Sequence, residues 1–259
     1  MVIPQDDAPA KIELDMVTVP EGPFIMGTSF EAEDKVEGEE TPPHQVWLSG
    51  YQIQRTPVTV GQWQAFVSRT GYEWSMKTWL DAVREFLTQG PTESYPITNV
   101  SWLDCSAFIE WLRQVNGAAF TLPTEAQWEK ACRGSDGQLY PWTKSEPNFE
   151  KEMVEFNHRL TLRPVAFRLD RASPCGCLDM CDNVYEWCAD WYDDLAYEKH
   201  VAAGIPRDPR GAKEHSVLGL HSVRGGPGFN YHWPRCTYRG SAGPHEHNPW
   251  TGFRVVLSE

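Results

Sequence analysis

The sequence has no long apolar run and comparatively little positive charge. None of its hydrophobic stretches approaches the roughly 20 residues that a membrane-spanning helix needs. Lysine and arginine number 23 against 36 aspartates and glutamates, which gives a formal net charge of −13 for 259 residues. Both observations argue against a membrane or a nucleic acid held by bulk electrostatics, so we expect neither as a partner.

Targeting, repeat and linker signals are also missing. The first residues, MVIPQDDAPAKIEL, contain neither the basic segment nor the apolar core of a signal peptide, so we expect a cytoplasmic protein. No internal repeat, low-complexity tract or linker divides the chain. The expectation is therefore one domain over residues 1–259.

The seven cysteines lack the spacing of a typical zinc site. Four of them lie in CGCLDMCDNVYEWC (175–188), whose spacings differ from paired C-x2-C knuckles, and no histidine lies within that stretch. We interpret the cysteines as mostly reduced core residues of a cytoplasmic protein.

Tryptophan, glycine and proline are abundant, with 12, 20 and 20 residues. This composition is typical of a loop-rich fold whose irregular backbone is held by large aromatic side chains. Three helices are predicted after Thr59, Ser101 and Thr124. Asp104 and Gln127 stand at the capping-box spacing of the second and third helix.

Strands and loops are predicted from the remaining pattern. Two alternating segments, HQVWLSGYQI (44–53) and GFRVVLS (252–258), are typical of strands. Two long surface loops are predicted over 145–172 and 193–222. The acidic run EAEDKVEGEE (31–40) is interpreted as a solvated loop.

Eight segments in a fixed order carry a family resemblance. They are MVTVPEGPFIMGT (16–28), TPVTVGQWQAFVSRTGY (56–72), YPITNVSWLDCSAFIEWL (95–112), FTLPTEAQWEKACRG (120–134), LYPW (139–142), CGCLDMCDNVYEWCADWY (175–192), SVRGG (222–226) and TGFRVV (251–256). Together they resemble the formylglycine-generating enzyme family, also called the sulfatase-modifying-factor family, over nearly the whole chain. The resemblance implies an α+β single domain with a variant of the C-type-lectin fold and little regular secondary structure.

The resemblance also bears on catalysis. Active members of the family oxidise a substrate cysteine to formylglycine with molecular oxygen, and they hold copper(I), a soft ion, between two cysteine thiolates. Those cysteines lie four and nine residues after the second glycine of an arginine-glycine-glycine motif. Here that glycine is Gly226, and the two positions hold Asn230 and Arg235. We therefore expect no copper and no formylglycine generation.

A different metal is the alternative. His232, Cys236, His245 and His247 supply soft and borderline ligands within 16 residues. They leave open a metal-dependent oxidoreductase with a non-copper site. The other interpretation is a set of loop and rim histidines.

The resemblance further implies a structural calcium ion. The family's ligand positions fall on the side chains of Asp179 and Glu186 and on the carbonyls of Asp182 and Val184. Such a mixture of carboxylate and carbonyl oxygens suits calcium. The alternative is a loop whose acids cap local amides.

The functional hypothesis is a catalytically divergent domain that binds a protein or peptide, with a bacterial signalling or defence system as its expected setting. A hypervariable ligand-binding protein of C-type-lectin fold is a further alternative. The predicted binding face lies within 227–250 and comprises Asn230, Tyr231, His232, Trp233, Arg235, Arg239 and Trp250. Aromatic residues and arginine dominate the energetics of interfaces. Arg235 is expected to supply a positive charge that favours an acidic partner.

Overall fold

In a computed structural model, the three predicted helices form where the sequence places their starts. The structure describes residues 11–29, 38–74, 92–142, 162–211, 219–226 and 235–258. Helices α1 (Val60–Thr70), α2 (Trp102–Asn116) and α3 (Glu125–Arg133) each begin with a complete capping box. In each box, the hydroxyl of the residue before the helix accepts from the backbone amide of the third helical residue. The side chain of that third residue accepts in turn from the backbone amide of the residue before the helix. Each helix is followed by a glycine with positive φ.

In the described part of the chain, ten short strands form three sheets. The strands are β1 (Met16–Val19), β2 (Gly22–Met26), β3 (His44–Leu48), β4 (Tyr51–Gln54), β5 (Phe120–Thr121), β6 (Tyr185–Trp191), β7 (His221–Gly225), β8 (Gly240–Ala242), β9 (Thr251–Gly252) and β10 (Val256–Ser258). One sheet has the order β1-β4-β10-β5, a second pairs β2 with β3, and the third has the order β8-β7-β6-β9. All pairs are antiparallel except β6 with β9.

Both predicted strand segments are strands, but each is divided between two sheets. Residues 44–53 become β3 and β4, which are not paired with each other: β3 pairs with β2, and β4 pairs with β1 and β10. Residues 252–258 contribute to β9 and β10 in the same way, and Phe253–Val255 between them is buried. Alternation of apolar residues predicts a strand but not its partner.

The two predicted loops contain regular structure, so those predictions are wrong in part. Helix α4 (Ala196–Ala203) lies within 193–222, and β7 begins at its end. A single 3-10 turn (Leu169–Arg171) lies at the end of 145–172, of which 145–161 lies outside the described residues. Helix α4 has no side-chain cap, which explains why no start signal for it is visible in the sequence.

Aromatic side chains fill the core between α1, α2 and the residues before β10. Trp63 stacks on Phe108 with ring centroids 5.8 Å apart, and Phe253 meets the same two rings edge-on. The predicted inward face of α2, which includes Cys105, Phe108 and Leu112, is buried. The result is the expected α+β domain with few helices and several small sheets. Within the described residues, no helix is both long and apolar enough to cross a membrane.

Candidate functional site

Strand β7 ends at Gly225, the first glycine of the arginine-glycine-glycine motif, and the backbone of this glycine pair is tightly packed. Gly225 has φ 67° and Gly226 has φ 116°. A Cβ on Gly225 would lie 2.5 Å from the carbonyl oxygen of Met180, and a Cβ on Gly226 would lie 2.1 Å from Cε1 of Tyr185. At both positions glycine is needed because a side chain would collide with neighbouring atoms of the protein.

Arg224, the residue before the glycine pair, lies fully buried in a network of charges. Its Nη2 donates to Glu129 Oε2 at 2.6 Å and to the carbonyl oxygen of Cys236 at 2.7 Å. Its Nη1 lies 3.4 Å from Glu125 Oε1. Because a buried charge is costly unless it is paired and hydrogen-bonded, this network fixes β7 to the two carboxylates of α3.

Arg239 belongs to the same network. It binds Glu125 in a bidentate pair, with Nε donating to Oε1 at 3.0 Å and Nη2 donating to Oε2 at 2.9 Å. Its guanidinium also lies 4.5 Å from the ring centroid of Tyr197. Burial raises the pKa of Glu125, but Arg239 and Arg224 together lower it to about 2. Glu125 is therefore charged at neutral pH and compensates Arg239 inside the protein.

Arg235, at the second copper position of the family, is also paired internally. Its Nη2 donates to Glu40 Oε1 at 2.5 Å, and Thr237 Oγ1 donates to Glu40 Oε2 at 2.5 Å. Glu40 is completely buried and Arg235 is 8 % exposed. The expectation of a free positive charge at Arg235 is therefore wrong, and so is the placement of Glu40 in a solvated loop. With Arg239 also neutralised by Glu125, the reason for an acidic partner disappears.

A histidine pair next to this network was not found from the sequence. His44 Nε2 lies 3.0 Å from His200 Nδ1, and the two residues are 156 positions apart. The ring of Tyr197 meets His44 at 4.7 Å. Burial and the adjacent His44 lower the pKa of His200 to about 4, and burial lowers that of His44. Both rings are therefore neutral at pH 7, and no local sequence motif signals the pair.

The predicted binding face is only partly within the described residues. Asn230, Tyr231, His232 and Trp233 lie outside them. Trp250 is half-buried at the surface, and its carbonyl oxygen accepts from the backbone amide of Tyr185 at 2.7 Å.

Tyr185 faces a second half-buried ring, Tyr238, with centroids 6.4 Å apart. We call Tyr185, Tyr238 and Trp250 the aromatic rim. The Tyr185 ring lies against Gly226, the last described residue before 227–234.

The alternative histidine–cysteine set does not converge where it is described. Cys236 is completely buried, whereas His245 is exposed. His247 Nε2 lies 3.1 Å from Asp104 Oδ2, on the N-terminal turn of α2. His232 lies outside the described residues.

The predicted calcium ligands differ in how well they suit a cation. Asp179 is buried, its Oδ2 accepts from the amide of Ala166 at 2.8 Å, and burial raises its pKa to about 6. Glu186 already faces a cationic side chain, since Arg254 donates to both its oxygens at 2.6 and 2.7 Å. Asp179 therefore suits a cation, while Arg254 already supplies the positive charge that Glu186 needs.

The two predicted backbone ligands, the carbonyls of Asp182 and Val184, lie in a tight turn. The Asp182 carbonyl accepts from the amide of Val184 at 2.7 Å. Arg171 Nη1 lies 3.5 Å from Asp182 Oδ2. Calcium therefore stays a prediction, with Asp179 as the side chain that a bound ion would compensate most.

A thermal melt tests the calcium prediction. If calcium binds at Asp179, excess calcium over a chelator should raise the melting temperature by roughly 5–10 °C at a hundredfold excess over Kd. Asp179→Asn should abolish this response, whereas exposed Asp170→Asn should keep it. Identical melting temperatures of the parent with calcium and with EGTA would show that no structural calcium is bound.

Three buried thiols meet in the hydrophobic core. Cys132, Cys181 and Cys236 place their sulfur atoms within 4.8 Å of one another. We call them the thiol cluster. Their interpretation as buried core residues is correct, but their mutual approach was missed, because they are 49, 55 and 104 positions apart in the three pairings. Local spacing contains no signal for such a cluster.

Comparison with known proteins identifies the family. A model of the sulfatase-modifying factor enzyme 1-like domain matches residues 5–259. The formylglycine-generating enzyme of Thermomonospora curvata is 29 % identical over 307 residues, which cover 96 % of this chain and 95 % of that protein.

Two further similarities extend this result. The serine/threonine-protein kinase pkn1 of Chlamydia pneumoniae is 29 % identical over 273 residues, which cover 97 % of this chain but 39 % of the kinase. The chain thus spans about two fifths of the length of that relative. The structure of Treponema denticola variable protein 1 superposes with a TM-score of 0.73 at 20 % identity, covering 96 % of each chain.

Proposed function

Because the chain belongs to the sulfatase-modifying factor enzyme 1-like family, we propose that it keeps the family's frame without its copper chemistry and acts as a protein- or peptide-binding domain. The observation that carries the first half is the pair Arg235–Glu40. A guanidinium fills the second thiolate position of the family, and a buried carboxylate holds it there at 2.5 Å. A guanidinium offers only hydrogen-bond donors and no lone pair, so it cannot replace a thiolate as a metal ligand.

The aromatic rim supports the second half of the proposal. Tyr185, Tyr238 and Trp250 are half-buried, and the Tyr185 ring lies against Gly226, the last described residue before 227–234. Amphipathic aromatic side chains are enriched at the centre of protein interfaces, because they bury a large area with few rotatable bonds. With Arg235 and Arg239 neutralised, we expect apolar and aromatic contacts to dominate, without a preference for an acidic partner.

A relative in which a similar domain is part of a longer protein supports a recognition role. The matched region accounts for about two fifths of a protein named as a kinase in Chlamydia pneumoniae. We propose that this chain likewise serves a signalling system. The hypervariable ligand-binding alternative rests on the fold shared with Treponema denticola variable protein 1. The oxidoreductase alternative loses support, because the described members of its histidine–cysteine set lie apart.

An activity measurement tests the catalytic part. Incubated with copper(I), oxygen and a peptide containing Cys-x-Pro-x-Arg, this protein is expected to leave the peptide mass unchanged. The formylglycine-generating enzyme of Thermomonospora curvata is the positive control. An aldehyde product formed by this chain at a comparable rate would overturn the proposal.

A binding measurement tests the recognition part. The chain is immobilised, partners are recovered from the source cells, and the recovered partner is titrated as a purified protein. Trp250→Ala and Tyr238→Ala should each weaken its binding at least tenfold if they are hot spots. Phe167→Ala, at an exposed aromatic on another segment, is the matched control and should bind as the parent does. Equal affinity of all four proteins would place the binding face elsewhere.

A further inference from the structure

The thiol cluster connects three distant parts of the fold. Cys132 lies in the last turn of α3, Cys181 in the turn that precedes β6, and Cys236 in the segment that follows 227–234. All three side chains are completely buried. The Sγ–Sγ distances are 2.8 Å for Cys132–Cys236, 3.4 Å for Cys132–Cys181 and 4.0 Å for Cys181–Cys236.

These distances are close to those of three thiolates around one metal ion. With metal–sulfur bonds of about 2.3 Å, the sulfurs lie roughly 3.8 Å apart in a tetrahedral site and about 4.0 Å apart in a trigonal one. The Cys132–Cys236 pair has to open most, by about an ångström. A side-chain adjustment of this size is within reach of χ1 rotations at the two cysteines.

Two arginines lie next to the cluster along the chain or through a hydrogen bond. The backbone carbonyl of Cys236 accepts from Arg224, and Arg133 directly follows Cys132 at the end of α3. The thiolate is the form that binds a metal, so a bound ion would displace the thiol protons.

Sulfur is the only type of ligand in the cluster. Among the residues that the structure describes, no histidine, aspartate or glutamate joins the three cysteines as a fourth ligand. Thiolates select soft ions such as copper(I) and zinc. Structural zinc is almost always four-coordinate, so a completely buried site with three sulfurs suits the lower coordination number of copper(I).

We propose that Cys132, Cys181 and Cys236 bind one soft, thiophilic metal ion, with copper(I) preferred to zinc(II). This site is separate from the copper positions of the family, which hold Asn230 and Arg235 here. The ion would tie the segment that follows 227–234 to α3 and to the turn before β6. It would thereby fix the backbone at Cys236, two residues before Tyr238 of the aromatic rim, whether or not that rim binds a protein.

Metal titration of the full chain tests the proposal. The protein is purified under anaerobic, reducing conditions, freed of metal, and titrated with copper(I) alone and with zinc(II) alone against a competing chelator. We expect one equivalent of copper(I) per chain, bound at least a hundredfold more weakly after Cys132→Ala, Cys181→Ala or Cys236→Ala. Cys105→Ala and Cys175→Ser are the controls and should keep the parent's affinity. Cys105 is a buried thiol outside the cluster, and Cys175 belongs to the separate Cys175–Cys177 pair.

X-ray absorption of the loaded parent supplies a measurement that does not depend on the folding of any variant. Three sulfur neighbours around one ion would support the site. Two sulfurs, or uptake by the parent equal to that of Cys132→Ala, would overturn it, as would a Cys132–Cys236 disulfide in the freshly reduced protein. Tighter binding of zinc(II) than of copper(I) by the same three cysteines would overturn the stated preference.

Discussion

Glu129→Ala is expected to lower the free energy of unfolding by roughly 3–5 kcal/mol, because it removes one partner from a buried network of charges. Glu129 Oε1 accepts from the amide of Gly27 at 2.7 Å and from Arg133 at 3.0 Å. Its Oε2 accepts from Arg224 at 2.6 Å and from the Tyr197 hydroxyl at 3.1 Å. The substitution leaves these donors without the acceptor and reduces the compensation of two buried guanidinium groups.

Chemical denaturation of matched variants measures this effect. Glu110→Ala is the control, since Glu110 forms an exposed ion pair with Arg113 on α2 and should change stability by no more than about 0.5 kcal/mol. Glu129→Gln keeps the shape and an acceptor oxygen but loses the charge, so it should fall between the two. Equal unfolding midpoints for Glu129→Ala, Glu129→Gln and the control would contradict a stabilising role for the network.

Gly226→Ala is expected to have a comparable effect, roughly 3 kcal/mol or more, because a new side chain would clash with a neighbouring ring. The new Cβ would lie 2.1 Å from the Tyr185 ring, at a residue with φ 116°. Overpacking a buried contact costs about 1–3 kcal/mol, and a strained backbone conformation adds about as much. Because the Tyr185 ring is the group that the new Cβ would meet, the clash should also displace that ring.

Two comparisons separate the clash from the backbone strain. Gly71 has φ 67°, and a Cβ added there would meet no atom within 4 Å. Gly71→Ala should therefore cost only the strain of about 1–2 kcal/mol. In a Tyr185→Ala background, the ring is gone and the cost of Gly226→Ala should fall toward that of Gly71→Ala. A cost that is unchanged in this background would show that the Tyr185 ring is not the obstacle.

The location of the predicted residues shows what local sequence can and cannot reveal. Ser101 with Asp104 and Thr124 with Gln127 sit within one helical turn, so their hydrogen bonds form wherever the helix forms. In contrast, Arg235 lies 195 positions from Glu40. Spacing along the chain cannot indicate that Glu40 neutralises Arg235. The sequence therefore predicted an acidic partner for a charge that is already paired inside the protein.

Residue identity at short or fixed spacing was enough to establish the family, the α+β class and the starts of three helices, and to predict the loss of the two copper thiolates. Which distant side chains meet became visible only in the folded chain. Folding assembled the thiol cluster from three segments, paired His44 with His200, and placed Glu186 against Arg254 at 2.6 Å. The physical reason is burial: polar and sulfur side chains removed from water must find partners in space, and the packing of the strands and helices determines which partners they meet.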